Sequence, residues 1–271
     1  MEENPYSTST PHKFFHVARS VVGKEVRVGN TITFINEIDL TNIETIRSGW
    51  TDGRKPTYTA FVAKAASLGL REFPYANRRL YRLPLFPPVR TRMQTFHDVN
   101  IAVACERNEP GIEVATFMDV LKDVDRLSMT EIGDWLNELA HCDISNNRQW
   151  RDFFNLICST PGWLASFIVS LPLHFPRLWW KWRGGALVIS SPGKYGVDYM
   201  IGAWPAPLGV SFGFAKERPV VRDGKLATAK TMKLTLNWDR RVMAGAQAAR
   251  FFRRMSDILE NPEENMKEWL R

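Results

Sequence analysis

The sequence is short of the residues from which disulfide frameworks and metal centres are made: three cysteines and five histidines in 271 residues. Three cysteines cannot form a framework, and the odd count favours a reducing compartment. Cys105, Cys142 and Cys158 and the five histidines show no metal-ligand spacing, so no metal is expected. There is no phosphate-cradling Gly-x-x-x-x-Gly-Lys-Ser/Thr loop, no Gly-x-Gly-x-x-Gly turn and no Gly-x-Ser-x-Gly elbow. No nucleic-acid-binding module is recognisable, which leaves nucleic acid off the expected partners. The opening MEENPYSTSTPHKFF lacks the charged-then-apolar layout of a signal peptide, so a cytoplasmic protein is expected. Repeats and low-complexity tracts are also missing.

What is present is an ordinary globular composition, 44% apolar and 24% charged, with a net charge of +7. That is enough apolar chain for a sizeable core and enough basic excess for an anionic partner. The excess is local. Residues 71–95 hold six Arg against one Glu, and residues 145–183 hold five Lys or Arg against one Asp.

The periodicity predicts one α/β domain with a mixed sheet. Residues 1–16 read as a polar lead-in. Thr31–Ile35 alternates like a strand. A helix is expected from Leu40, with Thr41 as N-cap and Glu44 closing a capping box. Thr57 to Phe73 reads as a second helix, ended by Pro74. A strand pair follows, broken in the middle by Pro84, Pro87 and Pro88, with Val99–Cys105 as its best second strand. Ser128 caps a helix to Leu139, with Glu131 closing the box. Residues 186–191 and 232–238 are strand candidates. A final helix spans Ala246–Leu259 and is stopped by Pro262.

The segment 141–183 is unusual. No charged residue occurs between Phe153 and Pro176, yet Pro161-Gly162, Pro172 and Pro176 cut the run into pieces too short to span a bilayer. Trp163, Trp179, Trp180 and Trp182 sit among Arg177, Lys181 and Arg183. That composition suits a covered core or subunit contact, and it also suits peripheral membrane contact through 153–183.

From residue 186 the chain resembles the C-terminal half of the catalytic domain of the dihydrolipoyl acyltransferases of 2-oxo acid dehydrogenase complexes. ISSPGKYGVD resembles the family's Ile-Ser-Asn/Ser-Leu-Gly turn, KERPVVRDGKL its hairpin, and LTLNWDRRV the strand that runs into a Gly-Ala-x-x-Ala-Ala-Arg-Phe helix. Upstream, FINEIDLTNIETIR, AFVAKAASLGLREFPYANRRL and HDVNIAVACE resemble the N-terminal half. The resemblance implies a domain over residues 17–271, interrupted by the 141–183 insertion. It implies a chloramphenicol acetyltransferase-like α/β fold, a mixed sheet flanked by helices. It further implies a homotrimer with active sites between subunits, where coenzyme A enters from one side and the acyl acceptor from the other. An acyl-carrier thioester, with its carrier protein as partner, could stand in for coenzyme A. No lipoyl group is expected on this chain.

The departures from the family pattern are specific. Its motif Asp-His-Arg-Val-x-Asp-Gly stands here as Asp239-Arg240-Arg241-Val242-Met243-Ala244-Gly245. Arg240 takes the place of the catalytic histidine, which deprotonates the attacking thiol. A guanidinium, with a pKa above about 12, cannot be that base. Ser190 matches the serine that stabilises the oxyanion. Asp239 and Arg241 match a pair that holds the motif, and Gly245 matches the glycine at the turn into the helix.

Three readings of Arg240 stay open. It marks a pseudoenzyme scaffold, or it clamps an anion or oxyanion in an enzyme of acyl-transfer or condensation type, or it pairs with a neighbouring acid as structural filler. His97 is the alternative base, while His12, His16, His141 and His174 carry no assigned role. The expected function is a stand-alone acyl-thioester-dependent acyltransferase. Its alternative is a catalytically inactive trimeric scaffold or binding protein, membrane-associated through the insertion.

Overall fold

The structure is a computed structural model that describes residues 5–9, 31–82, 91–107, 115–143, 146–147, 150–152, 155, 159, 161–202, 204 and 206–270. His12, His16, Cys158 and the prolines at 84, 87 and 88 lie outside the described residues, as does the side chain of Trp163.

The large sheet is organised around β10 (Lys225–Asp239), whose two halves differ. Lys225–Thr228 is largely exposed, and Lys225–Thr231 pairs with β9 (Lys216–Arg222) as a hairpin. Its turn, Asp223-Gly224, has φ of 50° and 73°, the left-handed pair that a two-residue hairpin needs and that Asp-Gly readily supplies. From Thr231 onward the strand enters the core, between β2 (Thr31–Asp39) and β8 (Leu208–Phe212), both antiparallel to it. Beyond β8 lie β7 (Leu187–Ser190), β5 (Ile101–Arg107) and β6 (Ala115–Leu121). β7 is parallel to both its neighbours, so the sheet is mixed, as the sequence predicts.

The helices α1 (Thr41–Ser48), α2 (Tyr58–Glu72), α3 (Met129–His141) and α6 (Gly245–Glu260) cover this sheet. α6 presents Ala248, Phe251, Phe252, Met255, Ile258 and Leu259 to the core, as its spacing requires. α2 is buried on most of its surface, and Gly69 lets it close on Phe251, whose ring would lie 3.0 Å from an added Cβ. Lys64 is the one fully buried cation of α2. Its Nζ donates to the carbonyls of Val124, Asp125 and Leu127 at 3.1, 2.9 and 2.7 Å and faces the Trp269 ring at 4.2 Å. Burial pushes this ammonium down to about 7, opposed by Asp125. Three carbonyl acceptors match the three donors of the charged form, so Lys64 ties the β6–α3 connection to α2.

Several boundaries depart from expectation. The Ser128–Glu131 capping box is present, and Thr57 caps α2. The box expected at Thr41 is not: the Asp39 carboxylate takes the Thr41 N–H and hydroxyl, while Glu44 turns instead to Tyr58 and Lys230. The N-cap residue is Leu40. The strand Arg78–Arg82 (β3) pairs with Thr91–Phe96 (β4), not with the Val99–Cys105 segment, which belongs to the large sheet as β5. Tyr6–Ser9 (β1) of the polar lead-in completes a separate three-stranded sheet in the order β1-β4-β3.

The insertion folds as α4 (Gly162–His174) and α5 (Pro176–Arg183). Pro172 does not end α4. It lies in the last turn, and the helix continues to His174. Trp179 of α5 is buried with Phe96 and Ala186, and its indole donates to Gly185 O at 2.9 Å. α5 therefore covers the small sheet. Phe167 and Leu173 of α4 are 60% and 51% exposed. Among the described residues no helix is long and apolar enough to cross a membrane.

Candidate functional site

The motif at the end of β10 is a tightly held turn. Trp238 anchors it in the core, and the Asp239 N–H donates to Pro207 O at 2.8 Å. The Asp239 carboxylate then receives the Arg241 N–H at 2.9 Å and its guanidinium in a fork, Nε at 2.9 Å and Nη2 at 2.7 Å. This pairing raises the Arg241 guanidinium above its ordinary range. Arg78 of β3 reaches across and donates twice to Val242 O, at 3.0 and 2.6 Å. Gln247 closes the start of α6 by accepting the Ala244 N–H at 3.0 Å. Gly245 is exposed, its φ is not left-handed, and an added Cβ would meet open space. The turn within one chain therefore does not require glycine there, contrary to expectation.

Arg240 stands apart in this network. It is exposed, and among the described residues it makes no hydrogen bond or ion pair. The neighbouring charges Asp239 and Arg241 are matched to each other, so the guanidinium of Arg240 is left to solvent.

Ser190 ends β7 and is half-buried. The register places it level with Ser211 and Thr235, two strands from β10 and four residues back from Asp239. At ordinary strand geometry that is about 13 Å along the sheet and roughly 10 Å across it. One chain thus does not bring Ser190 to Arg240.

His97 is exposed in the β4–β5 connection, where its backbone N–H donates to Pro5 O at 3.0 Å. His141 is exposed at the end of α3. Burial pushes the thiols of Cys105 and Cys142 up, which keeps both as thiols. Among the described residues no group of His, Cys, Asp and Glu could hold a metal ion.

The motif's paired charges open onto a cavity of about 740 Å³ between β3, α4, α5 and the end of β10, lined by Arg79, Arg82, His174, Trp179, Arg183 and the Asp239–Arg241 pair. Arg79 is 2% exposed and has no carboxylate partner among the described residues. Its Nε donates to Gln94 Oε1 at 2.8 Å, and its Nη atoms donate to the carbonyls of Pro172 and Leu173 at 3.2 and 3.3 Å. Its guanidinium lies 4.1 Å from the Trp179 ring. Burial pushes it down to about 9. It pins the carbonyl end of α4, where a helix favours positive charge. Trp204 forms another wall. It packs flat on Gly209, where any side chain would clash with the indole at 2.2 Å. Sequence reasoning gave no role to Arg79 or His174 and read Arg183 as part of a segment that covers a core or subunit contact or touches a membrane surface. The signal that pointed to them was the concentration of arginine in 71–95 and 145–183.

The pattern of matches to known proteins follows this division of the molecule. A sequence model of the 2-oxoacid dehydrogenases acyltransferase catalytic domain matches residues 20–153 and 181–267, which leaves out most of the insertion. The chain belongs to this family. Among curated relatives, it is 26% identical over 239 residues to the dihydrolipoyllysine-residue acetyltransferase component of the Bacillus subtilis pyruvate dehydrogenase complex, covering 86% of this chain and 45% of that one. It is 26% identical over 240 residues to the succinyltransferase component of the 2-oxoglutarate dehydrogenase complex of Bartonella vinsonii, covering 86% and 48%. The chain thus spans a little under half the length of these relatives. Among solved structures it is similar to the Azotobacter vinelandii dihydrolipoamide acetyltransferase, studied for the roles of a serine, a histidine and an asparagine in its catalytic mechanism. That match has a TM-score of 0.60 at 20% identity and covers 95% and 93% of the two chains. The stretch the family model leaves out, residues 154–180, contains α4 and most of α5.

Proposed function

We propose that the chain is an acyltransferase acting on an acyl thioester, carried by coenzyme A or by a carrier protein, in which Arg240 supplies fixed positive charge where the family has a histidine. The observation that carries this reading is the contrast at the turn: Asp239 and Arg241 neutralise each other, while Arg240 is presented without a partner. A partnerless guanidinium beside a rigid turn suits a carboxylate, a phosphate or a developing oxyanion. Ser190 would donate to that oxyanion. Because Ser190 and Arg240 lie far apart within one chain, the complete site needs Ser190 from a neighbouring copy, which supports a homotrimer. The likeness to a structure described as the cubic core of the pyruvate dehydrogenase complex supports assembly as well. A cytoplasmic location belongs to the same reading.

The test is turnover of a panel of acyl-CoA and acyl-carrier substrates by wild type, Ser190→Ala and Arg240→Ala. Loss of one oxyanion donor should lower kcat about 100-fold or more. Equal rates in all three proteins would overturn the proposal. A second reading, a trimeric scaffold without turnover, is favoured by the missing base and by the exposed Phe167 and Leu173 of α4. It expects no activity in any variant, together with flotation on liposomes that Phe167→Ser weakens.

A further inference from the structure

The cavity beside the motif is walled on one side by Ser170, Leu173, His174 and Trp179, which the family model leaves out, and it holds a histidine whose ring is hydrogen-bonded as a general base requires. His174 is the last residue of α4 and lines the cavity. Its Nδ1 lies 3.0 Å from the carbonyl oxygen of Arg82. A carbonyl only accepts, so Nδ1 carries the hydrogen and Nε2 of the neutral ring keeps its lone pair. The fixed tautomer and the fixed ring plane both come from a backbone group of β3.

The same cavity carries unmatched positive charge. Its carboxylate, Asp239, is already forked to Arg241. Arg183 is half-buried, and among the described residues its guanidinium has no hydrogen-bond or ion-pair partner. Burial depresses its guanidinium, which is the direction that an arriving anion would reverse. Trp204, Trp179 and Tyr81 add aromatic surface. A cavity of about 740 Å³ is within the range that small organic ligands fill.

We propose that this cavity receives the acyl acceptor, that the acceptor carries a carboxylate or phosphate on a planar apolar body, and that His174 is the base displaced from position 240. This rests on the acyl-transfer reading above. The acceptor's X–H proton passes to His174 Nε2 as X bonds to the thioester carbonyl carbon. The C–S bond then breaks, and the leaving thiolate takes the proton back from the imidazolium. Arg183 holds the acceptor's anionic group.

Two measurements on the full chain test this. In the first, acyl-thioester turnover is compared among wild type, His174→Asn, His174→Ala and His141→Ala. Asn retains a donor for Arg82 O but cannot take a proton, so kcat should fall 100-fold or more with KM changed less than threefold. Added imidazole should restore part of the His174→Ala rate, and His141→Ala should match wild type. If wild type turns over and His174→Asn keeps its rate, the base assignment falls while the acyl-transfer reading stands. If wild type turns over nothing, both fall.

In the second measurement, tryptophan fluorescence follows titration with benzoate, phenyl phosphate and neutral benzyl alcohol. At least one anion should bind, at least tenfold more weakly in Arg183→Gln, and ahead of benzyl alcohol. The anion that binds identifies the acceptor's charged group. Binding that ignores Arg183→Gln, or no binding, overturns the anionic pocket whatever the turnover shows. Displacement of the bound anion by coenzyme A would assign the pocket to the thioester and overturn its assignment to the acceptor.

Discussion

The β10–α6 turn and the wall of the insertion cavity share Asp239 and Arg241, yet they treat charge in opposite ways. At the turn, carboxylate and guanidinium are forked together and held by Arg78 from β3, leaving Arg240 alone to face outward. In the cavity wall, arginines from β3 and α5 gather with no further carboxylate, and Arg79 is satisfied by neutral oxygens and a tryptophan face. The first region is a closed set of contacts in which Asp239 and Arg241 match each other and Arg240 stays outside. The second joins Arg79, Arg82 and Arg183, inside the matched residues, to α4 residues outside them, among them His174, whose Nδ1 meets Arg82 O. The difference teaches that the contacts holding the turn do not depend on the side chain at position 240. Backbone and ion-pair contacts preserve the turn whatever stands at position 240, whereas a base needs only reach and a free lone pair.

Two substitutions would break or sharpen this comparison. The larger effect is expected at Trp179, which joins α5 to the small sheet and supports Arg79. Trp179→Ala should cost about 3–5 kcal/mol, the usual range for a buried aromatic, measured by urea unfolding. A loss below about 1 kcal/mol would make the insertion a loosely attached surface element, and the comparison of two structured regions would fail. A smaller effect is expected at the turn. Asp239→Asn should cost about 1 kcal/mol, because the Asp239–Arg241 pair is partly exposed and screened. A double-mutant cycle with Arg241→Gln should show positive coupling that shrinks in high salt. Zero coupling would mean that backbone contacts alone hold the turn.

Much of the large sheet was legible in the sequence because its signals are local. The Thr31–Ile35 alternation, the Ser128–Glu131 box and the 3.6-residue stripe from Ala248 to Leu259 each specify an element without help from distant residues. Thr41 misled because Asp39, two residues earlier, competes for the same N–H, and because Glu44 finds long-range partners in Lys230 and Tyr58. The small sheet was misread because the pairing of β3 with β4 spans a proline-rich connection, and no alternation rule chooses between β4 and β5. At the candidate site the sequence displayed the altered motif but not the cavity. Arg79 is far in the chain from His174 and Arg183, and it joins them by binding the carbonyl end of α4. Only the clustering of positive charge foretold that meeting.

The smallest expected effect is a pH dependence that separates the two regions by their acids. Glu44 sits in the family-like body. Burial alone would raise its carboxyl, but hydrogen bonds from Lys230, Arg47 and Tyr58 outweigh that and bring it down to about 2. A carboxylate depressed in the folded state contributes stability above its ordinary value of 4.5, and that contribution is lost as pH falls from there toward 2. Glu44→Gln should therefore flatten the acid side of a stability–pH curve in this window, and urea midpoints between pH 5 and 2.5 would show it. The cavity wall has no unpaired carboxylate among the described residues, so Arg183→Gln should leave the same slope untouched. A slope changed by Arg183→Gln would reveal an acid partner for Arg183, and the cavity would then be internally neutralised like the turn rather than built for an incoming anion.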